Sequence, residues 1–201
     1  MRDKVVNKIM FKIKETQNID DIKYEEIRYG LQGLYTMITK TSIILIIACL
    51  LNILKEFIIC FLFYSLLRSV GFGAHAKSNI QCWIFSISLL IGIPIIFSHI
   101  NISLGLKIFI WSILFINFFI FCPADTKKRP MINKKRKLKF KYSILILCVV
   151  YLFLIIYLKS IANLILGAML LEGLLVNPLG YIIMGEEVRF SLKDLYIFKL
   201  N

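Results

Sequence analysis

The chain has 201 residues, 59% of them hydrophobic and 18% charged, and its 25 Lys plus Arg outnumber 12 Asp plus Glu for a net charge of +13. Soluble domains run at about 45–50% apolar and about 25% charged, so the excess has to be hidden in lipid or by a very large partner, and the length allows one domain, a compact set of membrane helices. The Ile, Leu and Phe content, with 10 Gly and 4 Pro, excludes disorder, collagen-like repeats and a disulfide-framed secreted module.

Residues 1–28 mix seven basic with six acidic side chains and contain no apolar run of the secretory type. Val5, Val6, Ile9, Met10 and Ile13 fall on one helical stripe beside Lys4, Lys8 and Lys12. That pattern fits a helix lying in the membrane interface, or one packed on the protein's own cytoplasmic face. Residues 29–201 then form a single transmembrane domain. A bilayer core about 30 Å thick needs roughly 20 helical residues, fewer where flanking Lys side chains snorkel. The charge-free runs predict four transmembrane helices, at about 79–97, 104–122, 142–158 and 161–183, and an N-terminal pair at about 31–54 and 56–69. The pair is interrupted by Lys55 and Glu56 and either crosses fully or forms a tilted, shallow hairpin, for six helices in total. Open sheet is excluded in hydrocarbon and no run alternates as a barrel strand would, so the fold class is all-α, a polytopic membrane helix bundle.

Nine Lys or Arg and no acid lie between Lys127 and Lys141, which places that loop in the cytoplasm. Counting outward puts the Arg68–Lys77 loop inside and, if the first pair crosses, both termini inside as well. Beside spanning helices such a basic run reads as a topology signal or an anionic-lipid contact rather than as a nucleic-acid site.

Cys49, Cys60, Cys122 and Cys148 sit among Ile, Leu, Phe and Val, where a Cys behaves as a small inert hydrophobe. Cys82 differs. It follows Ser78 and Asn79, both good caps, so it is expected in the first turn or two of a helix, near Lys77 and at the positive end of the helix dipole. His75 lies just upstream in Gly71-Phe72-Gly73-Ala74-His75-Ala76, where two glycines open the backbone to unusual conformations. A Cys attacking a carbonyl needs a base at hydrogen-bond range, and His suits that task near neutral pH. Seven residues of continuous helix would separate the two by about 10 Å of rise, so the glycine-containing segment has to fold His75 back onto the helix of Cys82. A His in a polar loop beside a structural Cys is the other reading of these residues. With two His, no HExxH, no CxxC and no GxxxxGK[ST], neither a metal nor another cofactor is expected. Composition alone also leaves open a small peptide transporter or exporter and a non-catalytic membrane scaffold.

The run Arg68-Ser69-Val70-Gly71-Phe72-Gly73-Ala74-His75-Ala76-Lys77-Ser78-Asn79-Ile80-Gln81-Cys82, followed by Ser86, resembles the signature of the accessory gene regulator protein B (AgrB) family. Cys122-Pro123-Ala124-Asp125-Thr126-Lys127-Lys128-Arg129-Pro130 is similar to that family's Pro-Ala-Asp-Thr loop, and Tyr29-Gly30-Leu31 is a weaker echo. Where many members double the Gly before the His, this chain has Phe72 before Gly73. The resemblance implies a membrane cysteine endopeptidase that processes precursors of cyclic quorum-sensing peptides, with Cys82 as nucleophile and His75 as base. It implies further that Arg68 supports the site by holding a substrate carboxylate or neutralising an oxyanion, that Gly73 shapes the loop, and that Asp125 either orients His75 or pairs with nearby cations. Lys127, Lys128 and Arg129 would meet the acidic C-terminal tail of a precursor with an amphipathic leader, and the protein would be a homodimer in the cell membrane. Glu172, an acid inside an apolar run, has no role assigned by sequence.

Overall fold

A computed structural model describes residues 2–16, 20–74, 78–124 and 133–185. These form eight helices and, among the described residues, no strand: α1 (Arg2–Thr16), α2 (Asp21–Leu50), α3 (Leu54–Gly71), α4 (Asn79–His99), α5 (Leu104–Phe121), α6 (Lys134–Tyr157), α7 (Ala162–Val176) and α8 (Pro178–Met184). The chain divides into two compact units, Met1–Leu51 and Asn52–Asn201. The fold is an all-α, multi-pass membrane protein. Four helices, α2, α4, α5 and α6, are long and apolar enough to cross a membrane, and the bent pair α7–α8 has the length and composition of either a broken fifth span or a re-entrant loop.

In the first unit α1 packs along α2. Val6 and Met10 of the amphipathic stripe are buried while Val5 and Ile9 are exposed, and Gln32 Nε2 donates to Asp3 Oδ1 at 3.2 Å. α2 is capped by Asp20, whose carboxylate accepts from the Lys23 amide at 2.8 Å, and runs unbroken for 30 residues. Residues 21–28, grouped by composition with the N-terminal segment, therefore belong to the same helix as the apolar run after them.

In the second unit α7 is the central helix. It touches α3, α4, α5, α6 and α8, and twelve of its 15 residues are buried. A 15-residue helix is about 22 Å long, short of the bilayer core, and the span expected at 161–183 is in fact two helices bent by 70° at Asn177. Small residues let neighbours close on α7. A Cβ at Gly167 would lie 2.9 Å from Ile93 Cγ2 and 3.0 Å from the Phe97 ring, and one at Gly173 would lie 2.9 Å from Leu114 Cδ2. Side-chain hydrogen bonds cross the helices at depth: Trp111 Nε1 donates to the Cys148 carbonyl at 3.0 Å, Tyr151 Oη to Phe63 at 2.8 Å and Asn117 Nδ2 to Gly173 at 2.9 Å.

The two ends of this unit differ. At one, Asn163 Nδ2 of α7 donates to the Ile100 carbonyl in the α4–α5 turn at 2.6 Å. At the other meet the C-termini of α3, α5 and α7 and the N-termini of α4 and α6. α6 begins at Lys134, capped by Asn133, two turns before the apolar run starts. The Lys134–Lys141 half of the expected basic loop is thus helical, and Lys141 is buried with its Nζ 5.0 Å from the centre of the Phe119 ring.

Candidate active site

The basic end is organised by the turn that follows α3. Phe72 has φ 68 and ψ −69, and the Gly73 amide donates to the Gly71 carbonyl at 3.1 Å, a γ-turn of the rare, strained kind with positive φ at its centre. Gly73 follows with φ +65, a conformation that costs a residue with a Cβ. The strain is held by contacts on every side. The Phe72 ring meets the Phe140 ring edge-on at 4.9 Å, and Phe140 in turn lies under the Arg136 guanidinium at 5.6 Å. The Ala124 amide donates to the Gly71 carbonyl at 2.9 Å, and the Ala74 amide donates to the Leu175 carbonyl at 2.7 Å.

Arg68, on the last turn of α3, completes the clamp. Its Nη2 donates to the Ala74 carbonyl at 2.8 Å, and its Nη1 lies 3.6 Å from Glu172 Oε2. The Arg68 side chain is 21% exposed and that of Glu172 is fully buried. Gly71 and Gly73 make room for this pair: a Cβ at Gly71 would sit 2.8 Å from Glu172 Oε1, and one at Gly73 would overlap Arg68 Nη1.

Cys82 is the fourth residue of α4. Ser78 caps the helix, its hydroxyl accepting from the Gln81 amide at 3.1 Å while Gln81 Oε1 accepts from the Ser78 amide at 3.4 Å. This reciprocal pair fixes the helix start, as the spacing of Ser78 and Asn79 to Cys82 predicted. The Cys82 amide makes the first helical bond, to Ser78 at 3.0 Å, and its side chain is half-buried. None of the five cysteines is in a disulfide. The phenol of Tyr64, one turn before Arg68 on α3, shares this end of the bundle with Arg68, Glu172 and Cys82.

Of the residues singled out by sequence, the structure thus brings Arg68, Gly73 and Cys82 to one end of the bundle. His75, Asp125, Lys127, Lys128 and Arg129 lie outside the described residues. The Arg68 guanidinium is occupied by Glu172 and the Ala74 carbonyl. Sequence reasoning missed Tyr64, although its i, i+4 spacing to Arg68 places both on one face of α3. Among the described residues no three His, Cys, Asp or Glu side chains cluster closely enough to hold a metal ion.

The sequence profile of the family described as accessory gene regulator B matches residues 6–176, from α1 to the last residue of α7. The chain belongs to the accessory gene regulator B family. It is 28% identical over 178 residues to an AgrB-like protein of Listeria innocua, covering 88% of this chain and 87% of that one. It is 27% identical over 180 residues to accessory gene regulator protein B of Staphylococcus aureus strain Newman, covering 90% of this chain and 95% of the relative. No solved structure matches the chain. The AgrB match includes all of α3 to α7, the helices that surround the clamp and carry Cys82.

Proposed function

We propose that this AgrB-family protein is a membrane cysteine endopeptidase that removes the C-terminal tail of a ribosomal precursor peptide and leaves it ready to close into a cyclic quorum-sensing signal. The observation that carries this reading is the shared address of Cys82 and the turn at residues 71–74. The thiol stands in the first turn of a capped helix at the bundle end where a strained turn, fixed on three helices, leads directly into His75.

In this mechanism His75 takes the Cys82 proton and the thiolate adds to the carbonyl joining the future signal to its tail. The tetrahedral intermediate collapses, the C–N bond breaks, and the leaving amine takes the proton from His75. The signal peptide remains as a thioester on Cys82. An internal Cys or Ser of the peptide then attacks that thioester, closing a thiolactone or lactone and returning the thiol. Exchange of one thioester for another is close to balanced in energy, so ring closure to a thiolactone needs no nucleotide. Asp125 orients His75 or pairs with neighbouring cations, and Lys127, Lys128 and Arg129 attract the acidic tail. Opposite charge speeds encounter more than it sets specificity. The positive-inside rule puts this end of the bundle in the cytoplasm, and the working unit is a homodimer.

The test is mass spectrometry of the full-length protein in detergent with a synthetic precursor carrying an amphipathic leader, a Cys or Ser core and an acidic tail. A peptide adduct on Cys82 is expected, together with loss of tail release in Cys82→Ala and in His75→Ala. An active Cys82→Ala enzyme eliminates the mechanism. Precursor binding should also weaken with added salt and with neutralisation of Lys134–Lys137.

A further inference from the structure

We propose that Glu172 is a positioning residue of this site, acting through Arg68 on the turn that leads into His75; the inference rests on the thiol-peptidase reading above. Glu172 is fully buried on α7, and a carboxylate there is expensive unless it faces a partner. Its partner is the Nη1 edge of Arg68, 3.6 Å away, while the Nη2 edge of the same fork is committed to the Ala74 carbonyl at 2.8 Å. The acid therefore sets the angle at which the guanidinium meets the backbone one residue before His75. Without it, Arg68 is a long side chain on the last turn of α3, free to snorkel toward water at the basic end and release Ala74. The bare backbone of Gly71 leaves Glu172 Oε1 its place, since a Cβ there would come within 2.8 Å of it. A pair kept only for stability has little reason to be ionic. A buried ion pair seldom outperforms apolar residues of the same volume, whereas removing one partner alone strands a charge.

The experiment separates holding the fold from holding the turn. Full-length protein in detergent is treated with iodoacetamide across a pH series, and Cys82 modification is followed by mass spectrometry. The variants are Arg68→Met/Glu172→Leu, Glu172→Gln and His75→Ala. The double variant strands no charge and is expected to keep wild-type helical content, with a thermal midpoint lowered only by the lost Arg68 bond to the Ala74 carbonyl. Even so, its Cys82 should alkylate about fivefold to tenfold more slowly near pH 7, as in His75→Ala, because the Ala74 carbonyl that leads into the base is no longer held. Glu172→Gln should move the rate in the same direction. If the double variant keeps the wild-type pH profile while His75→Ala loses it, Glu172 does not position the site and the peptidase reading stands. If His75→Ala alkylates as fast as wild type, the peptidase reading itself fails and takes this inference with it.

Discussion

Gly73→Ala probes the turn with a single methyl group. Gly73 sits at φ +65, where an L-residue costs about 1–2 kcal/mol, and its new Cβ would overlap Arg68 Nη1 and come within 3.0 Å of the Leu175 carbonyl oxygen. The Leu175 oxygen is backbone held by the Ala74 amide, so the side chain of Arg68 has to yield, breaking its bond to the Ala74 carbonyl. A hydrogen bond to a charged group contributes about 1.5–3 kcal/mol, which brings the expected loss to about 2.5–5 kcal/mol. The assay is denaturant unfolding in mixed micelles alongside precursor tail release. Gly73→Asn separates the two costs, because Asn tolerates positive φ but carries the same Cβ, so it should recover the torsional part alone. Unchanged stability and unchanged tail release in Gly73→Ala would refute the assignment of Gly73 to the clamp.

Phe72→Gly should leave stability within about 1 kcal/mol of wild type, since relief of about 1–3 kcal/mol of positive-φ strain offsets the lost edge-on contact with Phe140 and the added chain entropy. Phe140→Ala removes the contact and keeps the strain, so it should be the more damaging of the two in the same unfolding assay. Gly167→Ala should cost about 1–3 kcal/mol by forcing Ile93 and Phe97 of α4 away from α7, read as a drop in the thermal midpoint. Asn177→Ala removes the cap on the Leu179 amide, at 3.0 Å, and should cost about 1 kcal/mol. It should also speed hydrogen exchange at the Ala74 amide, because an uncapped Leu179 amide competes for the Leu175 carbonyl; equal protection of Ala74 in both proteins would count against that coupling.

Hydropathy located the spans of α2, α4, α5 and α6, but it marks where lipid begins rather than where a helix does. α2 starts at Asp21 and α6 at Lys134, both inside charged sequence, because Lys and Glu are good helix formers and Asp20 and Asn133 supply the caps. The start of α4 was legible for the same reason, since Ser78 and Gln81 form a local capping signal. The break at Asn177-Pro178 was equally local, an Asn cap followed by Pro at the first helical position, yet it lay hidden within an apolar run that continues to Gly185. What no local pattern shows is a pairing between elements distant in sequence. Glu172 was visible as an acid in a hydrophobic stretch, but its partner stands on α3, and only the assembled bundle joins them. The strained turn was legible in part: Gly71 and Gly73 advertised it, while Phe72 at φ 68 is a conformation that residue type argues against.

The break in α7 explains how the turn can dock there at all. In a continuous helix the Leu175 carbonyl would accept from the amide of residue 179 and could not serve another chain. Pro178 has no amide to give, so the Leu174 carbonyl is also released from the helical ladder, and the bare backbone of Gly180 lets α8 fold back against it. The Leu179 amide turns to Asn177 Oδ1, and the Leu175 carbonyl takes the Ala74 amide at 2.7 Å instead. Asn177 Nδ2 also reaches Asn117 Oδ1 at 3.3 Å, and Asn117 Nδ2 holds the Gly173 carbonyl, so the break is braced from α5. The helix that carries Glu172 thus offers the turn two anchors one turn apart, a side chain acting through Arg68 and a backbone carbonyl acting directly. Both converge on Ala74, one on its carbonyl and one on its amide, which fixes the peptide planes on either side of that residue immediately before the chain reaches His75.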